Sequence, residues 1–285
     1  MRPATPIAAT AGPVELTDDE RSKQIEADPL AYLHHSLETT RRLKSFTTTF
    51  LRQERLGLFK QLHPAETIFA EYRDEPFSVR FTWQDPNSEY YQCVYVEGRD
   101  DNKVLLLTRH GPFGLPPSVG RWDPQLGVTF AKTRNPITDF GPRRMLERTL
   151  DRIEKARPHG PVEIRLIGLT EIGRSRERCF HLEIRYPKGD RYACKLHDLF
   201  INAKTGIPVA SRLWLPGKAD RSDETLDAQY IYSDIHAKAA MTDANFAIDP
   251  KGLSAAHAAD RTPTPGPTPG GSAPGIAISG QTADH

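Results

Sequence analysis

The chain has 285 residues, 38% hydrophobic and 26% charged, enough to bury a core as one β-rich domain or two smaller ones. Its 38 basic and 37 acidic side chains leave a formal charge of +1, which gives no electrostatic footprint for nucleic acid. Three cysteines, Cys93, Cys179 and Cys194, without C-x-x-C spacing argue against a disulfide framework or a zinc site. No apolar run reaches the length of a membrane span, and the first residues lack the apolar core of a signal peptide.

Residues 1–26 are rich in Ala, Pro and Thr, then charged, and read as an unfolded lead. An amphipathic helix follows in DPLAYLHHSLETTRRLKSF. Asp28 suits the N-cap and Pro29 the first helical position, and Leu30, Leu33, Leu37 and Leu43 form a stripe. Alternating runs come next. TTTFLRQERLG carries Phe46, Phe50 and Leu51, and TIFAEYR puts Ile68, Ala70 and Tyr72 on one side. FSVRFTW puts Phe77, Val79, Phe81 and Trp83 on one face at the strand period of two. After a QDPNS turn, YYQCVYVEG and KVLLLTRHG read as strands joined by a hairpin loop. Short strands joined by short turns predict an antiparallel meander rather than βαβ units.

GPFGLPPSVGRWDPQLG holds too many prolines and glycines for a central strand. It reads as a loop that still carries Phe113, Leu115, Val119 and Trp122. A second helix starts at Gly141-Pro142, runs along Met145, Leu146, Leu150 and Ile153, and stops at Arg157-Pro158. Further strands follow. Matching apolar faces sets Tyr186 opposite Tyr192, Ile184 opposite Cys194 and Leu182 opposite Leu196, which places Cys179 and Cys194 on opposite faces with no disulfide. From residue 253 to 285 the Pro/Gly/Ala-rich chain reads as a flexible tail, so 27–252 is the expected folded domain.

The usual catalytic signatures are missing. There is no phosphate loop, no dinucleotide fingerprint, no nucleophile elbow and no H-E-x-x-H. His34 and His35 are neighbours on a helix and point apart. His181, His197 and Asp198 make an acid–base or metal cluster only if they converge, and with His181 on the polar face of its strand a solvated surface is the preferred reading. Asp100-Asp101-Asn102 lacks the rest of a calcium loop and suits a hairpin tip. The sequence therefore predicts no catalytic residue, no metal and no cofactor. What stands out is an excess of aromatic and aliphatic side chains on strand faces, beside an apolar, proline-rich loop. Such side chains fill an ordinary core, or they line a cavity left open by a curved sheet.

The order of these segments resembles the LolA/LolB-type lipoprotein-carrier superfamily, in a branch of bacterial envelope proteins known only as a domain of unknown function. The likeness runs from Asp28 to Gly252. It is strongest in EPFSVRFTW, similar to an Arg-Pro-x-x-Phe-x-Trp strand through Pro76, Phe81 and Trp83, and in the closing DANF…PKG with Phe246. It implies a mostly β (α+β) fold. That fold is a half-open antiparallel barrel, or strongly curved sheet, with an N-terminal helix and a second helix packed against it. It also implies a cavity for lipid or lipoprotein acyl chains, no cofactor, and a periplasmic or envelope location, with the cytoplasm as the alternative for a chain numbered without an export signal. An envelope protein is a possible partner. On this reading the cavity or lid residues are Phe77, Val79, Phe81, Trp83, Tyr95, Phe113, Leu115 and Trp122. Glu75 stands where the carriers have arginine, so any closed state held by that arginine is made differently here. GPFGLPPSVGRW exceeds the compact carrier pattern and suits a lid. The alternative is an interaction module with a filled core.

Overall fold

A computed structural model describes residues 16–111, 115–187, 195–215 and 221–254. Contacts divide the chain into Met1–Asp249 and Pro250–His285. In the second unit residues 250–254 form one helical turn, closed by Ser254 Oγ donating to the Pro250 carbonyl at 3.2 Å. Everything below concerns the first unit.

The first helix, α1 (Asp18–Ala27), falls where the sequence reading leaves an unfolded lead. Its cause is local. Thr17 Oγ1 accepts from the Glu20 amide at 3.3 Å while the Glu20 carboxylate accepts from the Thr17 amide at 2.8 Å, and Ile25 is fully buried. Helix α2 (Pro29–Thr40) forms as expected. Asp28 caps it by accepting from the Ala31 amide at 2.9 Å, and Leu33 and Leu37 are buried.

Seven strands then run outward in a meander: β1 (Ser45–Leu56), β2 (Gln61–Leu62), β3 (Glu66–Arg73), β4 (Ser78–Trp83), β5 (Tyr90–Val96), β6 (Val104–Thr108) and β7 (Val119–Trp122). The short helix α3 (Leu126–Thr129) and the long helix α4 (Pro142–Ala156) lead across to the far edge. From there β8 (Glu163–Ile172), β9 (Glu177–Arg185), β10 (Leu196–Asn202), β11 (Pro208–Trp214) and β12 (Leu226–Ala237) return toward the middle. The result is one 12-stranded antiparallel sheet in the order β7-β6-β5-β4-β3-β1-β12-β11-β10-β9-β8, with β2 paired to β1. The sheet is not closed, because β7 and β8 remain edges. This is the mostly β, open curved-sheet architecture that the sequence implies.

The inner face of the sheet carries the main core. Phe46, Phe50, Ile68, Val79 and Phe81 meet Leu33 and Leu37 of α2 and Met145, Leu146, Leu150 and Ile153 of α4 in one apolar cluster. Residues 142–156 form this helix because Pro142 occupies its first turn and its apolar residues recur at helical spacing. On the outer face Val94 and Val96 pack with Met241 and Phe246, so the closing motif covers the back of β5.

Two further expectations are corrected. Val119–Trp122, read as loop, is an edge strand paired with β6. Its prolines, Pro116 and Pro117, lie just before the strand and not within it, and an edge tolerates such a sequence. The β9–β10 register also differs. Leu182 faces Leu199 and Ile184 faces His197, rather than Leu196 and Cys194. Both faces of β10 are apolar: Leu199 and Ile201 point inward, while Leu196 and Phe200 fill separate outer clusters. Matching hydrophobic faces could not discriminate between the two registers. Tyr192 and Cys194 lie outside the described residues, and so does their part of that expected pairing.

Candidate functional site: an aromatic cavity on the inner face

Strand β4 projects Val79, Phe81 and Trp83 inward, and its neighbours match them in pairs: Tyr72 and Tyr95 beside Val79, Ala70 and Cys93 beside Phe81. At the Val79 end the interior is filled. The Phe77 ring meets those of Tyr72 and Tyr95 at centroid distances of 5.7 and 6.0 Å, and these three residues and Val79 are buried. At the Phe81 end it is not. A cavity of about 730 Å³ opens there, inside the usual range of small-molecule sites.

Its floor is aromatic. Phe81 lies 4.8 Å from Phe140 and 6.1 Å from Phe50, and Trp83 stands edge-on to Phe81 at 6.0 Å and 5.4 Å from Tyr90. Val104 and Leu106, two apart on β6, supply one wall. The segment after β7 supplies the other through Leu126, Pro136 and Ile137, and Tyr230 and Tyr232 close the side made by β12. Trp122 and Phe130 stand at the mouth, 48% and 66% exposed. Cys93 also faces the space, and burial pushes its thiol up to about 12.

One corner is polar. The Tyr230 hydroxyl donates to Glu54 Oε1 at 2.6 Å, and the Arg134 amide donates to Glu54 Oε2 at 3.2 Å. Burial first, and the Glu54 charge second, hold the Tyr230 phenol well above its ordinary pKa. Beside it Arg52 Nε donates to Glu66 Oε2 at 2.8 Å and Arg52 Nη1 donates to Thr133 Oγ1 at 3.1 Å.

Of the residues expected at a cavity or lid, Phe81, Trp83 and Trp122 line this space. Phe77, Val79 and Tyr95 sit in the filled half of the core. Leu115 is 61% exposed and does not line the cavity, and Phe113 lies outside the described residues. The sequence reading did not assign Phe50, Cys93, Leu106, Phe140, Tyr230 or Tyr232 to the cavity. Alternation marks Leu106, Tyr230 and Tyr232 as inward residues of their strands. Nothing local in the sequence reveals that β12 returns beside β1.

His181, His197 and Asp198 do not converge. His181 Nε2 lies 2.9 Å from Asp198 Oδ1 on the outer face, where Trp214 Nε1 also donates to Asp198 Oδ2 at 2.7 Å. Burial alone would raise the Asp198 carboxyl, but its hydrogen bonds from His181 and Arg221 outweigh that and hold it well below the carboxylate range. His197 points inward, with Nε2 2.8 Å from Ser211 Oγ. Burial, helped by the Arg152 charge, lowers its pKa to about 3, so it is a neutral core residue. Residues 100–102 form the expected hairpin tip, each with φ near +55°, and Asn102 Oδ1 accepts from the Gly98 amide at 2.7 Å. His34 and His35 are exposed on α2. Among the described residues no cluster of His, Cys, Asp or Glu is placed to hold a metal, and no helix is long and apolar enough to cross a membrane.

A family profile described as protein of unknown function (DUF1571) matches residues 43–253, most of the chain and all twelve strands. The chain belongs to the DUF1571 family. No curated protein matches it. Among solved structures, this DUF1571 chain is similar to MucB, with 16% identity, a TM-score of 0.47 and 79% of the chain covered. It spans only 64% of MucB. It is also similar to the lipoprotein LppX of Mycobacterium tuberculosis, with 13% identity, a TM-score of 0.42, and coverage of 75% of this chain and 100% of that one. A LolA superfamily protein from Nitrosomonas europaea is similar at 12% identity and a TM-score of 0.28, with 76% and 98% covered. The superfamily that the sequence resembles is thus present among the structures similar to this DUF1571 domain.

Proposed function

We propose that this protein binds an apolar molecule, a lipid, an acyl chain or the acyl chains of a lipoprotein, in the bacterial cell envelope and without transforming it. The cavity carries the proposal. It is an aromatic space of about 730 Å³, open at Trp122 and Phe130, on the part of the inner face that α2 and α4 leave unfilled. Burying a chain there gains roughly 0.8 kcal/mol per methylene, so a handful of methylenes suffices for measurable binding and no catalytic group is needed. The envelope location comes from the likeness of EPFSVRFTW and DANF…PKG to the lipoprotein carriers. Native mass spectrometry of protein soaked in a bacterial lipid extract, with displacement of a neutral fluorescent dye, tests the reading. Bound lipid masses are expected. Ligand-free protein, with dye that no lipid class displaces, would overturn it.

A second reading, an interaction module of the envelope, has its own observation. Leu58 and Phe59 are 90% and 82% exposed on the hairpin tip between β1 and β2, a place where apolar side chains gain nothing from this fold. Pull-down with Leu58→Ser/Phe59→Ser against the native protein distinguishes it. A partner lost only from the variant supports this reading, and identical partner sets would sink it.

A further inference from the structure

We infer that the cavity selects an uncharged, hydroxyl-bearing lipid, such as a long-chain alcohol or a monoacylglycerol, over a fatty acid or an acidic phospholipid. This rests on the reading of the same cavity as a lipid site and names the chemical class of the ligand.

The argument starts from the charges in the wall. Three cations line the cavity, Arg52, Lys132 and Arg148, against four carboxylates, Glu54, Glu89, Asp123 and Asp139, of which Asp123 is already paired with Lys103 at 3.4 Å on the exposed rim. The cations that reach inward are already engaged. Arg52 binds Glu66 through Nε and Nη2 and Thr133 through Nη1. Arg148 Nη1 donates to the Asp139 carbonyl at 2.7 Å and lies 3.4 Å from its carboxylate. Lys132 is exposed at the rim, where water screens it. Glu66 adds a fifth carboxylate behind Arg52, accepting from Trp83 Nε1 at 3.1 Å. An anionic head therefore enters a partly dry space with an excess of negative charge and loses its hydration without gaining a cation.

The same corner suits a hydroxyl. Asn135 Nδ2 donates to Tyr230 OH at 2.9 Å, and Tyr230 donates onward to Glu54. Each oxygen of Glu54 accepts one bond, and a carboxylate has about four lone-pair positions, so acceptor capacity remains. The polar groups facing the cavity thus ask for a donor. An alcohol supplies one and a carboxylate does not. The apolar chain then runs over Phe81, Trp83 and Leu106.

The test compares two ligands with the same acyl chain, monopalmitoylglycerol and palmitate, by displacement of a neutral fluorescent dye from the full chain at pH 7.5. The glyceride is expected to bind at least about tenfold more tightly, about 1.4 kcal/mol. Glu54→Gln, checked by circular dichroism for an intact fold, is expected to narrow that gap. Palmitate binding as tightly as the glyceride overturns the inference while leaving the lipid-binding reading standing. Failure of both to displace the dye removes both. A selective native protein whose gap is unchanged in Glu54→Gln overturns the role given to this corner.

Discussion

His197 and Asp198 are consecutive residues of β10 and serve opposite faces of the sheet, one bonded to Ser211 in the core and the other to His181 and Trp214 outside. A strand forces this alternation on any adjacent pair. The constellation that looks most like chemistry in the sequence is therefore two separate structural networks.

The buried imidazole makes stability depend on pH. His197 holds a pKa of about 3 in the folded protein against 6.5 when free. Below pH 6.5 the unfolded chain takes up a proton that the folded one refuses, so stability falls as pH drops from 6.5 toward 3. The slope approaches about 1.4 kcal/mol per pH unit. Urea titrations between pH 7 and pH 4.5 are expected to show it, and His197→Gln, neutral throughout, should flatten the upper part of that window. The depressed carboxyls of Asp198 and Glu183 act lower, near the carboxylate range itself.

Removing the Tyr230 hydroxyl leaves Glu54 buried with one bond fewer. Tyr230→Phe is expected to cost about 1–3 kcal/mol, as for other unsatisfied buried groups. In a double-mutant cycle with Glu54→Ala the two losses should not add, because each removes the same 2.6 Å bond. Additive losses would show that the contact carries no coupling.

Gly141 caps α4 with φ +114° and ψ 157°, a region open to glycine alone. The space around it is ordinary, since an added Cβ would stand 3.5 Å from the Tyr72 ring. The penalty of Gly141→Ala is thus conformational, about 1–3 kcal/mol, and should appear as a lower melting temperature without a change in ligand preference.

Floor and mouth separate stability from binding. Phe140 is 5% exposed against Phe50, Phe81 and Tyr232, and Phe140→Ala is expected to lose about 3–5 kcal/mol. Trp122 is half-exposed at the rim, so Trp122→Ala should change stability by no more than about 0.5 kcal/mol yet weaken lipid binding. Unchanged lipid affinity in Trp122→Ala would place the ligand away from the mouth.

Much of the frame was legible because it is local. Asp28-Pro29 and Gly141-Pro142 announce two helices, and the alternation in FSVRFTW fixes which side of β4 is buried. Helix α1 is less legible, because its T-D-D-E capping box sits in a segment with little apolar periodicity. The β9–β10 register was not legible, because Leu196 and Phe200 are as apolar as Leu199 and Ile201. For the cavity, the sequence pointed to the inward face of β4 along its whole length, of which Phe81 and Trp83 line the space and Phe77 and Val79 do not. Phe77 and Trp83 share a face, but only the tertiary position of Phe140 and Tyr230 decides which end is left hollow.

The seam between β1 and β12 has a consequence for how the chain is made. β1 leaves the ribosome early, pairs with β3 on one flank, and waits for its other neighbour until almost the entire domain has been synthesised. Closing so distant a contact is slow, and throughout that interval a long strand shows an unpaired edge to its surroundings. Nascent chains halted before Leu226 would share this exposed edge. Their self-association, rather than their failure to fold, would then set how much of the protein a cell recovers.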